Sequence, residues 1–345
     1  MNVFNGSVSD GGWGGGTAPV SIIIRAYNEE AHIGKLLRGI RAQRVQPQEV
    51  VLVDSGSTDR TVAIAKRHGA RIVRMAKEDF TFGHALNVGC RASTGEILVF
   101  VSAHVYPLYD TWLERLVAPF ANPRVALSYG RQQGGNTNQF SEHRLFARWF
   151  PAERAFPQQG YFCNNANCAV RRSVWEDLHY DETLTGLEDL DWAKRAQSKG
   201  GWLVYEPEAT IAHVHEETWS QVRNRYRREA MALRRIDAGS HFSFLDFLRL
   251  FTANVAADAV SAARQKCLVS EINSIVHFRF NQFFGAWQGH RGPSEASQDL
   301  KQRFYFPTHA AHPHPHPHAH PQAESGGARR IDYARSHGQE LDELA

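Results

Sequence analysis

Val50-Val51-Leu52-Val53-Asp54-Ser55-Gly56-Ser57-Thr58-Asp59 is the stretch on which the reading of this chain turns. Its four apolar residues suit a strand buried on both faces, and the Ser/Gly-rich turn behind them ends that strand at a carboxylate. In an open α/β sheet, ligands bind beyond the carboxyl ends of the strands. Asp54 is therefore expected at the mouth of a crevice, accepting hydrogen bonds from a nucleotide base or ribose. Ser57, Thr58 and Asp59 equally suit the N-cap of a following helix, a plain structural use of the same turn.

Outward from this turn, strand and helix signals alternate. Pro19 to Ala26 predicts a strand, and Ile33, Leu36, Leu37 and Ile40 follow at helical spacing, with the helix capped near Asn28. The pattern continues with a strand over Glu49 to Val53, a helix over Ser57 to His68, a strand over Arg71 to Met75, a helix from about Gly83 to Ala92 and a strand over Glu96 to Val101. Apolar strands separated by helices imply an α/β chain with a mostly parallel sheet covered on both sides. Val125 to Tyr129 is a further strand, and the polar stretch Gly130 to Gln139 reads as a loop. Short strands around Cys168 to Val170 and Trp202 to Tyr205 flank a helix over Glu188 to Ser198. A long helix over Thr218 to Ile236 and two Phe-rich helices within 241–290 complete the pattern. The chain thus divides into a flexible Gly-rich stretch (1–18), a nucleotide-binding domain (19–237), a C-terminal helical region (238–306) and a tail (307–345). Six histidines alternate with Pro and Ala in that tail, a composition that predicts disorder and adventitious metal affinity without a catalytic role.

At 345 residues and 42% hydrophobic composition, the chain is long enough for one large domain with an appendage. The net charge of +3 gives no bulk electrostatic drive toward nucleic acid. Its four cysteines form no Cys-x-x-Cys pair, which argues against a zinc ribbon or a redox couple. The small, polar N-terminus lacks the basic and apolar regions of a signal peptide, so a reducing cytoplasm is the expected location. The most apolar window, Phe242 to Ala263, contains Asp246, Arg249 and Asp258 and is not expected to span a bilayer.

Four polar segments fall at predicted strand ends: Arg25-Ala26-Tyr27-Asn28-Glu29-Glu30, the Asp54 turn, Ser102-Ala103-His104-Val105-Tyr106-Pro107, and Gly186-Leu187-Glu188-Asp189-Leu190-Asp191-Trp192. In this order they resemble family-2 glycosyltransferases with the GT-A nucleotide-sugar fold, over about Val20 to Ile236. Tyr27 to Glu30 match a Tyr-Asn-Glu-Glu-like segment, and Asp54 to Asp59 match an Asp-Asp-Gly-Ser-Thr-Asp-like turn with Ser55 in place of the second acid. Asn87, Gly89, Gly95 and Glu96 follow the family's order as well. The resemblance implies donor contacts from Arg25, Tyr27, Asn28, Glu29, Asp54, Asn87 and Ser102.

The resemblance also implies a divalent cation, Mn2+ or Mg2+, normally held by Asp-x-Asp where this chain has Ser102-Ala103-His104. His104 stands at the second Asp position, and in Ile211-Ala212-His213-Val214-His215-Glu216 it is His213 that matches a late metal-binding histidine. The alternative is that both histidines bond to backbone or diphosphate. Glu188 and Asp189 match the family's Glu-Asp pair, whose aspartate resembles the general base of an inverting transfer. Acidic residues also favour a helix N-terminus for its dipole alone. Asp191, Trp192, Arg225 and Arg228 are the expected acceptor or diphosphate contacts.

The arginines of Thr218 to Ile236 and the aromatic stretch His277 to Arg291 suit either a core and solvated face or contact with an anionic membrane surface. Gln and Arg in Gln221 to Tyr226 are one residue too far apart for the motif of processive synthases, so single-sugar transfer is expected. Tyr129-Gly130-Arg131-Gln132-Gln133 and Glu142 to Pro151 are similar to rhamnosyltransferase-like members. The expected partners are thus a nucleotide-sugar donor and a glycan or lipid-linked acceptor of surface polysaccharide synthesis, with no nucleic acid. Two other readings compete. One is a catalytically inactive nucleotide-sugar-binding or scaffold member of the same fold, motivated by the missing Asp-x-Asp. The other is a nucleotidyltransferase, which lacks its Gly-rich loop here because Gly11 to Gly16 precede the first strand.

Overall fold

The structure is a computed structural model and describes residues 18–292, 296–306 and 327–333. The predicted Gly-rich N-terminus, apart from residue 18, and the His/Pro run lie outside the described residues. Eight strands form one sheet: β1 (Val20–Ala26), β2 (Glu49–Asp54), β3 (Arg71–Arg74), β4 (Ile97–Ser102), β5 (Val105–Pro107), β6 (Val125–Gly134), β7 (Asn167–Arg171) and β8 (Trp202–His213), in the order β3-β2-β1-β4-β7-β6-β8-β5. Strands β3, β2, β1 and β4 are parallel, and β7 is antiparallel to both β4 and β6. The β6–β8 pairing is parallel again, while β5 pairs antiparallel with β8.

The helices are α1 (Ile33–Arg41), α2 (Thr61–Arg67), α3 (Phe82–Ala92), α4 (Trp112–Val117), α5 (Phe140–Trp149), α6 (Arg172–Asp177), α7 (Glu188–Ser198), α8 (Trp219–Ile236), α9 (Phe244–Arg264), α10 (Leu268–Arg291) and α11 (Gln298–Tyr305). Both faces of the sheet are covered, and the strands sort their side chains by parity. Ile22, Ile24, Val99 and Val101 pack with Leu36, Ile40, Trp112 and Leu113 of α1 and α4. Ile23, Leu98 and Phe100 pack on the other face with Leu86, Trp175 and Trp192 of α3, α6 and α7. This double burial is why the strands read as unbroken apolar runs.

Three sequence expectations change. The helix after the Asp54 turn starts at Thr61: Ser57 and Thr58 bond to Asn28 of the Tyr27–Glu30 loop, while Asp59 accepts from Glu30 N–H with one carboxylate oxygen and from Thr61 N–H, the first of the helix, with the other. Helix α1 starts at Ile33 behind His32, so Asn28 is not its cap. The first half of the expected loop over Gly130 to Gln139 is strand, since β6 runs to Gly134 beside β8, which itself continues to His213.

The C-terminal helices pack on the sheet domain. Gly285 and Gly289, one turn apart on α10, meet the carbonyl oxygens of Arg223 and Arg227 on α8, so a Cβ at either position would collide with backbone. A buried polar knot fastens α9 and α10 to α5. Asp258 accepts from Ser141 Oγ (2.7 Å), Arg144 Nε (3.1 Å) and Arg279 Nε (2.8 Å). No helix among the described residues is long and apolar enough to cross a membrane. Within the stretch expected as a disordered tail, residues 327–333 lie along the segment that follows β5, with Arg330 bridged to Tyr109. Ile331 N–H donates to Leu108 O (2.9 Å) and Tyr333 O–H to Pro107 O (2.7 Å).

Candidate active site

The loop after β1 and the turn after β2 are joined by hydrogen bonds. Asn28, held in the left-handed region at φ 53°, donates its N–H to Ser57 Oγ (3.0 Å) and accepts from Thr58 N–H through Oδ1 (2.8 Å). Glu29 N–H donates to Thr61 Oγ1 (2.7 Å) and Glu30 N–H to Asp59 Oδ2 (3.0 Å). Asp54 is buried, and its Oδ1 closes the turn by accepting from Ser57 N–H (3.1 Å), with Gly56 at φ 91°. Beside it lies a cleft of about 490 Å³ lined by Asp54, Ser57, Asp59, Lys66, Arg74 and Met75 among others. A cavity of about 440 Å³ elsewhere, lined by Arg234, Ser240, His241 and His290, includes none of the predicted site residues. Tyr27 packs edge-on against Phe306 at 4.7 Å, and its hydroxyl accepts from Lys77 Nζ (3.0 Å). Sequence reasoning singled out neither partner.

At the end of β1, level with Ser102 on β4, Arg25 Nη1 reaches Glu188 Oε1 at 3.2 Å. Arg25 and Arg228 both lie over the Phe82 ring, at 4.9 and 4.6 Å. The buried Arg228 Nε has no hydrogen-bond partner among the described residues. Leu187, at φ 55°, caps α7 and delivers Glu188 and Asp189 to this point; a branched residue held there stores strain. Asp189 is 8% exposed, and Asn165 N–H donates to its Oδ2 at 3.0 Å. Burial, reinforced by the neighbouring Glu188 charge, pushes the Asp189 carboxyl up to about 7. Asn165 also reaches Glu188 (3.4 Å) and is a site residue that the sequence did not announce.

A third cluster forms where β5 pairs with the end of β8. Val105 lies opposite His213, and Val214 N–H donates to His104 O (3.1 Å), so the two predicted metal histidines come together with rings stacked at 5.2 Å. His215 joins them, its Nε2 lying 3.0 Å from His213 Nε2. One ring nitrogen from each of His104, His213 and His215 lies within 4.8 Å of the others. Each Nδ1 faces an oxygen: His104 to Glu29 (2.9 Å), His213 to Gln132 (2.8 Å) and His215 to Glu142 (2.6 Å). Burial holds His213 well below the usual imidazole range. Against the effect of its burial, His215 and Arg225 hold Glu142 down at about 2. The donor set is a transition-metal one, fitting Mn2+ better than Mg2+, which demands oxygen. His215 was legible from spacing alone, two residues beyond His213.

Several predicted contacts have other work. Asn87 is buried and holds Tyr180 and Trp175, donating to Tyr180 O (2.9 Å) and accepting from Trp175 Nε1 (3.0 Å), so it does not reach a donor. Trp192 is wholly buried, its indole N–H bonded to Leu178 O (2.5 Å), and is a core residue instead of an acceptor contact. Asp191 pairs with Arg195 at 2.7 Å on its own helix. Arg225 Nη2 is taken up by Glu142 (2.8 Å) and Glu217 (2.6 Å), while its buried Nε has no hydrogen-bond partner among the described residues.

The sheet order and its flanking helices are those of the GT-A fold. Residues 21–178 match the model of glycosyl transferase family 2, so the chain carries a domain of that family. It is similar to the O-antigen chain rhamnosyltransferase RfbN of Salmonella typhimurium, 26% identical over 222 residues, covering 60% of this chain and 70% of the relative. It is 29% identical to the glycosyltransferase AglE of Haloferax volcanii over 206 residues, 56% of this chain and 66% of the relative. Among solved structures, the mannosyltransferase PcManGT of Pyrobaculum calidifontis, in complex with GDP-Man and Mn2+, superposes with a TM-score of 0.55. That match has 21% identity and covers 79% of this chain and 86% of the other.

Proposed function

We propose that this chain is an inverting glycosyltransferase that moves a single sugar, a deoxyhexose such as rhamnose, from a nucleotide-sugar donor to a glycan or lipid-linked acceptor in surface polysaccharide synthesis. The observation that carries the reading is Asp189, a buried carboxyl raised to about 7 at the N-terminus of α7. A base poised near working pH accepts the acceptor hydroxyl's proton as that oxygen attacks the anomeric carbon, opposite the departing diphosphate. Asn165 N–H orients this carboxylate, and Arg25 keeps Glu188 beside it. On this reading the Asp54 cleft, with Lys66 and Arg74, takes the nucleoside. The unpartnered Arg228 Nε and Arg25 offer positive charge to the diphosphate. A divalent ion held by the histidine cluster supplies charge neutralisation when bound. The names of the O-antigen relatives support the sugar and pathway class.

A cytoplasmic position, peripheral on the inner face of the membrane, fits a lipid-linked acceptor. Exposed Leu245, Leu248, Val260, Val269, Ile272 and Phe280 on α9 and α10 support it. The test is transfer assayed with a panel of nucleotide sugars and isolated lipid-linked glycan. Wild type is expected to turn over at least one deoxyhexosyl donor with inversion, and Asp189→Asn to bind that donor without transfer. Full turnover by the variant would refute the role of Asp189.

A further inference from the structure

The histidine cluster shows more than the expected pair. An imidazole that donates from Nδ1 carries its lone pair on Nε2. His104, His213 and His215 all point Nδ1 at an oxygen acceptor: Glu29 Oε1, Gln132 Oε1 and Glu142 Oε1. The lone pairs of His213 and His215 then face each other at 3.0 Å, a repulsive arrangement unless a cation or a shared proton lies between them. Two imidazoles on one ion at about 2.0–2.1 Å place their nitrogens about 3 Å apart at ordinary coordination angles. Ligating histidines whose other nitrogen is fixed by a carboxylate or amide are the usual outer arrangement of such centres. The neighbouring acidic alternative, Glu142 with Glu217, is already neutralised by Arg225 at 2.8 and 2.6 Å.

We infer that His104, His213 and His215 form an all-imidazole centre that selects a transition ion such as Zn2+, Co2+ or Mn2+ over Mg2+, with Glu29, Gln132 and Glu142 as its orienting partners. Imidazole suits the first-row transition metals, whereas Mg2+ demands oxygen. Three neutral ligands leave the ion its full double charge, while an Asp-x-Asp pair would cancel most of it. The centre therefore offers a diphosphate more net charge than the family pattern does. That use of the ion rests on the donor reading above; the centre itself does not.

The experiment is cobalt titration of the full-length, chelator-treated protein, read by visible absorption and by bound metal per chain. Because the seven histidines of the tail also take up metal, the difference between wild type and a His213→Ala/His215→Ala variant isolates the centre. Visible bands of a nitrogen-ligated cobalt centre are expected in wild type and absent in the variant. Zn2+ is expected to displace cobalt, and millimolar Mg2+ to leave the bands unchanged. Glu142→Gln and Glu29→Gln, which change each side chain by one atom, should weaken cobalt affinity about 10- to 100-fold. Identical spectra and stoichiometry in wild type and the double variant would overturn the inference and leave a proton-sharing histidine pair. Efficient displacement by Mg2+ would overturn it as well. Cobalt bands without sugar transfer from any donor would instead count against the proposed function alone.

Discussion

Arg25 and Glu188 meet at 3.2 Å and tie the end of β1 to the first turn of α7, the helix that carries the proposed base. Both side chains act on Asp189: Glu188 disfavours its charge, and Arg25 favours it. The base must be ionised to accept a proton, so the transfer rate should climb with pH through about 7. Arg25→Ala removes the favourable charge and should move this acid limb to higher pH. Glu188→Gln removes the repulsion and should move it to lower pH. Shifts of about half a unit or more in opposite directions, read from kcat against pH, are the expected outcome; shifts of the same sign would show that Asp189 is not the titrating group.

Asp189→Asn should lower kcat by about 10²- to 10⁴-fold with donor affinity nearly unchanged. The same change should stabilise the fold. The Asp189 carboxyl titrates near 7 when folded against an ordinary value of 3.8, so the cost of burying its charge is fully present above pH 7 and is relieved as pH falls toward 4. At pH 8 the Asn variant is expected to melt about 2–5 °C higher than wild type, and the gap should narrow as pH falls and close only near pH 4. A lower Tm at pH 8 would contradict the burial argument.

Asn28 holds the Tyr27–Glu30 loop to the Asp54 turn through both its backbone and its side chain. Asn28→Gly keeps the left-handed backbone and loses the bond to Thr58, for a cost of about 1 kcal/mol. Asn28→Ala loses the bond and adds strain, costing about 1 kcal/mol more. Urea unfolding should rank wild type above Gly above Ala, with the donor KM rising in the same order.

Trp192 and Asp191 separate packing from chemistry. Trp192→Ala empties a fully buried site and should cost about 3–5 kcal/mol of stability. Asp191→Ala breaks only a partly exposed pair with Arg195, worth about 0–1 kcal/mol, and should leave kcat within about twofold. A hundredfold loss of kcat in the Asp191 variant would restore it to the site.

The alternation of two-sided apolar runs with amphipathic helices made the sheet legible, because burial on both faces leaves a run with no polar interruption. Glu188 and Asp189 are expected at the chemistry and Asp191 and Trp192 at the acceptor, all from one short run. An α-helix turns about 100° per residue, so five successive side chains cannot face one cleft: Trp192 enters the core and Asp191 turns to Arg195. Asn87 offered no local sign that its partner would be Tyr180, a contact made only in the folded chain. His215 had a sign that went unused, since residues two apart on extended backbone share a face. Lys77, Phe306 and Asn165 reach the site only through tertiary packing, which periodicity does not report.

Strand β5 ends the sheet, and residues 327–333 share hydrogen bonds with the segment that leaves it: Leu108 O and Asp110 N–H bond to their backbone, and Pro107 O to the Tyr333 hydroxyl. A version of the chain cut before residue 327 would bare these few backbone groups at the sheet's margin, an invitation to pair with a second copy. Any dimer or aggregate seen after such trimming would then reflect the lost seal and not the native state of assembly.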